Sequence, residues 1–186
     1  MISRILLFVG IMCIGLYVTF TVQAWWHQKQ LEQELELESF KPLPEARTPP
    51  ASHRKLKEGD LVGRLEIPRL DVSVMVMEGI GSRTLRLGAG RIPGTALPWT
   101  TGNVGIAAHR DTFFRPLADI QNNDTITLTT VDGKANYRVT STQIVMPEDV
   151  HVLKPTKQDT ITLVTCYPFR WVGSAPKRFI VQATKN

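Results

Sequence analysis

The sequence predicts an all-β fold, a closed β-barrel of about eight strands with short helices in its loops, behind an N-terminal transmembrane helix. Three observations predict it. From Gly59 onward the chain is a series of short runs that alternate apolar and polar residues, the period of a strand with one buried face. Gly, Pro and Asn-Asp turn signals separate those runs, which leaves little room for long helices. Ahead of them, residues 5–26 are almost free of charge, and a helix rising ~1.5 Å per residue over that length crosses an apolar core of ~30 Å.

Arg4 precedes the apolar run, and Trp25 and Trp26 close it as an interfacial belt would. Arg4 favours an N-terminus on the inside, although His27 and Lys29 on the other flank weaken that signal. A cleaved signal peptide is the competing reading, because Val22, Gln23 and Ala24 have a small-x-small outline. Against it, the run exceeds the usual length of such a segment and Trp25 would follow the cut. Either way the rest of the chain is exported, which disfavours a cytosolic enzyme. The expected organisation is a signal-anchor at 1–27, a Glu-rich then Pro-rich linker at 28–58, and a barrel domain at 59–186. In the linker, Leu31, Leu35 and Leu37 among four glutamates read as a short solvated stalk helix. Pro42, Pro44, Pro49 and Pro50 then make a semi-rigid extended spacer.

In the barrel, residues 61–67 and 70–76 alternate as strands around Pro68. Residues 82–87 read as a helical turn with Ser82 as N-cap, ended by Gly88, Ala89 and Gly90. Residues 103–109 form a buried strand tight enough to need Gly105, Ala107 and Ala108. Residues 113–117 form a helical turn that plugs the core. Strands at 125–131 and 134–145 flank a two-residue Asp132-Gly133 turn. Residues 147–150 form a loop or single turn, and strands at 161–165 and 179–182 close the set.

Composition narrows the function. The 186 residues are 42% hydrophobic and 21% charged, with a net charge of +5, values ordinary for a globular protein. No dense Lys/Arg cluster interleaved with aromatics is present, which argues against nucleic acid. No Gly-rich phosphate loop follows a strand, no CxxC or HExxH spacing occurs, and no acidic loop fits calcium, so no cofactor or metal is expected.

The chemistry concentrates at the C-terminal strands. Cys166 stands where the 162–165 strand stops at Pro168, rigid and facing a loop. Cys13 lies in the apolar run, so an exported Cys166 has no intramolecular partner. A thiol with a reference pKa near ~8.5 is a nucleophile only as thiolate, a form that an imidazole and a guanidinium both favour. His27 is at the membrane edge, His53 in the spacer and His151 in a loop, so His109 at a strand end is the best partner. Arg178 opens the next strand and offers fixed donors to a developing oxyanion. The plainer readings are a small buried hydrophobe for Cys166, an edge histidine for His109 and a solvated charge for Arg178.

Four stretches together resemble the sortase family of cysteine transpeptidases, most closely its class D members. They are the GxLxIPxLxVxV pattern over 63–74, TGNVGIAAHRDTFF over 101–114, TLVTCYPF over 162–169 and APKRFIV over 175–181. The resemblance implies a barrel of about eight strands behind a membrane anchor. It implies Cys166 as nucleophile, His109 as acid/base group and Arg178 as oxyanion or substrate-orienting group, with Thr165 helping to hold the substrate strand. It implies cleavage of a C-terminal Leu-Pro-x-Thr-Gly/Ala-like sorting motif through a thioacyl-enzyme, and transfer to an envelope amine, often peptidoglycan-linked. The expected partners are therefore secreted proteins bearing that signal, with no nucleic acid. Two details depart from the family pattern. Ala108 stands before the histidine where Gly is common, and Asn122, Asn123 and Asp124 replace a Gly-Asp turn, which survives because Asn tolerates positive φ. A thiol hydrolase with water as acceptor, and a tethered binding domain with an incidental Cys, are the alternatives.

Overall fold

The computed structural model describes residues 2–40 and 55–186, so the Pro-rich spacer and His53 lie outside the described residues. Helix α1 (Ile2–Phe40) precedes strands β1 (Leu61–Ile67) and β2 (Val72–Glu78), helix α2 (Ser82–Leu87), and strands β3 (Ala89–Arg91) and β4 (Asn103–Ala107). Strands β5 (Thr125–Thr130), β6 (Gly133–Val145), β7 (Thr160–Tyr167) and β8 (Lys177–Lys185) follow. Single 3-10 turns lie at Pro68–Leu70, Arg115–Asp119 and Val150–Leu153. The strands close into a barrel in the order β1-β2-β3-β4-β7-β8-β6-β5.

Alternation explains which residues fill it. Leu65 and Ile67 of β1, Val74 and Val76 of β2, Ile126 and Leu128 of β5, and Ile161 and Leu163 of β7 recur every second residue and are all buried. Phe114 and Leu117, from the loop and turn after β4, are fully buried in the same core, as the reading of a plugging turn requires. Most pairings are antiparallel, but β2–β3 and β4–β7 are parallel. The β4–β7 pairing spans a long crossover and sets the candidate site.

Several local readings change. The segment Ala89–Arg91 is a strand rather than the end of a turn. A Cβ on Gly90 would lie 2.1 Å from the Gly79 carbonyl oxygen, so the close approach of two backbones needs Gly here. Gly81, not Ser82, is the N-cap of α2, with extended dihedrals and no side-chain cap. In the β5–β6 hairpin Thr130 pairs with Gly133, so Val131 and Asp132 make the turn and Gly133 opens β6 with φ 131°. Asn123 adopts φ 74°, the left-handed geometry expected of the replaced Gly-Asp turn.

Helix α1 corrects the stalk. It runs unbroken past residue 27, and its Gln28, Leu31 and Glu32, spaced to share one face, dock on the barrel. Leu31 is buried against Met75 and Met77. The Gln28 side chain accepts from the Met75 amide (2.6 Å) and donates to the Leu87 carbonyl (2.5 Å), and Glu32 accepts from Arg64 (2.7 Å). This part of the helix is therefore a barrel contact rather than a wholly solvated stalk. Among the described residues no helix is long and apolar enough to cross a membrane.

Candidate active site

Three adjacent strands, β4, β7 and β8, carry the residues singled out from the sequence. Ala107 pairs in parallel with Val164, and the Ala108 amide donates to the Val164 carbonyl (3.3 Å), carrying the ladder one residue further. His109 follows Ala107 by two residues, as Cys166 follows Val164. On the opposite side of β7, Cys166 is the direct antiparallel partner of Arg178. Cys166 thus has the histidine segment on one flank and the arginine strand on the other. Its thiol is free and half-buried, while His109 is exposed.

The local fold follows from small and polar residues in β4. A Cβ at Gly105 would meet Leu153, Thr95 and Ile92 side chains at 2.9–3.2 Å, consistent with the tight strand read from the sequence. Asn103 donates to the Val152 and Lys154 carbonyls (3.0 and 3.2 Å) and accepts from the buried Thr162 hydroxyl at 2.7 Å. These bonds fix β4 against β7 and against the 3-10 turn before it through buried polar groups. Thr165 is 2% exposed and its hydroxyl donates to the Ala108 carbonyl at 2.8 Å. Its side chain therefore faces away from the groove and ties down the residue before His109.

Arg178 is half-buried, and its Nη1 donates to the Ala175 and Lys177 carbonyls (3.2 and 2.9 Å). Those acceptors lie in and beside the 168–176 loop that joins β7 to β8. The loop begins at a cis Tyr167–Pro168 bond, beside a packed trio of Tyr167, Phe169 and Phe179 with ring centroids 5.2–6.3 Å apart. Arg110, which the sequence reading did not single out, donates from Nη2 to the Trp171 and Gly173 carbonyls (3.0 and 3.1 Å). Its one sequence signal is its place directly after His109.

The other histidines lie elsewhere. His27 is on α1 beside Arg83 and Arg86, and His151 is exposed in a 3-10 turn. Among the described residues no three His, Cys, Asp or Glu side chains form a group able to hold a metal. A cleft of about 630 Å³ lies between α1 and the barrel, lined by Tyr17, Trp25 and Met75 and by the Asp111–Phe113 segment beyond His109. It borders the histidine segment without including Cys166. The fold brings a half-buried thiol between the segment that carries His109 and the strand that carries Arg178, residue types that nucleophilic acyl transfer uses.

Known proteins share both sequence and shape with this chain. The sortase domain family model matches residues 65–186. Sortase D of Bacillus subtilis is 32% identical over 128 residues, covering 68% of this chain and 65% of that protein. Sortase A of Listeria monocytogenes is 32% identical over 110 residues, covering 57% of this chain and 49% of that protein. This chain thus aligns with about half to two thirds of the length of these two relatives. Among solved structures, a sortase D5 transpeptidase of Clostridium perfringens superposes with a TM-score of 0.74 at 25% identity, covering 86% of this chain and 98% of that one. Sortase A of Listeria monocytogenes superposes with a TM-score of 0.62 at 28% identity, covering 68% and 87%.

Proposed function

The chain belongs to the sortase family, and on that premise we propose that it is a cysteine transpeptidase with Cys166 as nucleophile, His109 as acid/base group and Arg178 as oxyanion donor. The observation that carries this reading is the register: Cys166 is paired with Arg178 across β7–β8, and His109 and Cys166 each lie two residues beyond the last β4–β7 pair, Ala107 with Val164. The substrate is the C-terminal sorting motif of a secreted protein, of the Leu-Pro-x-Thr-Gly/Ala kind. The Cys166 thiolate attacks the carbonyl carbon of the motif Thr, forming a C–S bond. Charge moves to the carbonyl oxygen, where Arg178 donates; among the described residues its Nε and Nη2 make no other hydrogen bond. The C–N bond then breaks, and the departing amine takes a proton from the His109 imidazolium. An envelope amine, peptidoglycan-linked, attacks the thioester, returns a proton to His109 and restores the thiolate.

Thr165 contributes by fixing Ala108, and with it the approach of His109 to the substrate strand. Water as the acceptor is the alternative in the same site, favoured by the exposure of His109. Adding an amine and finding the product unchanged would establish it.

The test is intact-mass analysis with a sorting-motif peptide. The native chain and Cys13→Ala gain one acyl adduct, Cys166→Ala gains none, and circular dichroism of Cys166→Ala is unchanged. An adduct on Cys166→Ala overturns the assignment.

The proposal includes anchoring by residues 5–26, with the barrel on the extracytoplasmic side. It is supported by the uncharged sequence and by Leu7, Ile11, Met12, Ile14, Leu16 and Val18, which stand exposed along α1; Tyr17 and Trp25, which line the cleft against the barrel, would leave it on insertion. Protease added to intact cells should digest the barrel and leave a membrane-retained N-terminal fragment; a barrel protected until lysis would overturn the orientation.

A further inference from the structure

Both arginines at the site hold the same loop, yet only Arg178 has a part in the chemistry. Arg110 reaches across the mouth of the site to two carbonyls near the middle of the 168–176 loop, Trp171 and Gly173. The loop is held at three places: by the Tyr167–Phe169–Phe179 trio where it starts, by Arg110 in its middle, and by Arg178 where it ends. Of these, the Arg110 contact alone links it to the histidine segment. The loop tip has no apolar cover of its own, since Trp171 is 51% and Val172 98% exposed. Exposed backbone with so little side-chain packing is the kind that opens locally at small cost. A brace from a charged donor to two carbonyls is what keeps its position defined.

We propose that Arg110 is a positioning residue for substrate: through Nη2 it braces the 168–176 loop against the histidine segment, so that the loop stands as a fixed wall beside Cys166 and Arg178. The inference rests on the reading of Cys166 as the nucleophile. It predicts that Arg110 acts on substrate affinity and loop order, not on the reacting atoms.

The test uses the full chain in detergent with Arg110→Gln and Arg110→Lys. Arg170 is exposed within the loop and reports its freedom by tryptic cleavage. In Arg110→Gln, cleavage after Arg170 should rise about fivefold and KM for a sorting-motif peptide about tenfold, with kcat within about twofold, as expected for losing charged hydrogen bonds. Arg110→Lys, which keeps a charged donor, should recover most of both changes. The pH profile of Cys166 alkylation should not move in either variant. Native KM and native cleavage in Arg110→Gln would overturn the proposal, as would a fall in kcat at unchanged KM. If Cys166→Ala still forms the adduct while Arg110→Gln frees the loop, the catalytic reading has failed and the brace stands.

Discussion

Thr165 shows how much one hydroxyl settles at this site. Strand alternation puts Cys166 and Thr165 on opposite faces, so the residue beside the nucleophile cannot share its groove. It is buried and bonded to the Ala108 carbonyl, one residue before His109. Thr165→Val keeps the shape and removes the donor, leaving a buried carbonyl unpaired at a cost of about 1–3 kcal/mol. A lower melting temperature is expected, together with a loss in kcat of about tenfold through misplacement of His109; native kcat in a destabilised protein would show that the bond serves only the fold. The strand-end places of Cys166, His109 and Arg178 were legible from the sequence because each stands where an apolar run begins or stops. The direction of Thr165 and the reach of Arg110 were not. The first depends on which face β7 buries, and the second on a long side chain meeting backbone 61 and 63 residues away.

Among the elements, the strands with clear alternation were legible to within a few residues, whereas β3 was hidden because Ala89 and Gly90 carry almost no side chain to alternate. Helix α1 was legible as apolar, but its docking was not, since Gln28, Leu31 and Glu32 look solvated without the sheet edge they meet. That edge explains the contact. Strand β3 pairs with β2 only from Val76 onward, so the Met75 amide lies just outside the β2–β3 register, and the Gln28 side chain takes its hydrogen bond. Gln28→Ala should raise hydrogen exchange at the Met75 amide by more than about tenfold while leaving exchange in β7 and β8 unchanged. Unchanged exchange at Met75 would mean that Leu31 and Glu32 hold the helix without it.

At the scale of the whole molecule, the closed barrel was legible but its strand order was not, because no local pattern says which strands meet. The barrel's long-range seam between the first strand and the fifth, β1 against β5, has three paired positions, Arg64 to Glu66 facing Thr127 to Thr129. Arg69, in the turn after β1, straddles this seam to grip Asp124, just before β5, through both oxygens (2.5 and 2.6 Å), and also holds the Asp119 carbonyl. The hydrogen bond from Arg69, helped by the Gln121 amide, holds the Asp124 carboxyl below its ordinary value despite burial pushing the other way. A carboxyl depressed in the folded state adds stability above its unfolded pKa of ~3.9 and loses it as pH falls through the folded value. Arg69 stays charged throughout that window and contributes no pH dependence of its own. Asp124→Asn should therefore melt lower than the native chain at pH 7, by about 1–2 kcal/mol, with the gap narrowing below about pH 4 as the native carboxylate protonates. Thermal melts of both proteins across that range test it. A gap that stays constant with pH would assign the loss to packing rather than to the ionised pair, and the seam would then owe its closure to the buried Leu65 and Leu128 that face each other across it.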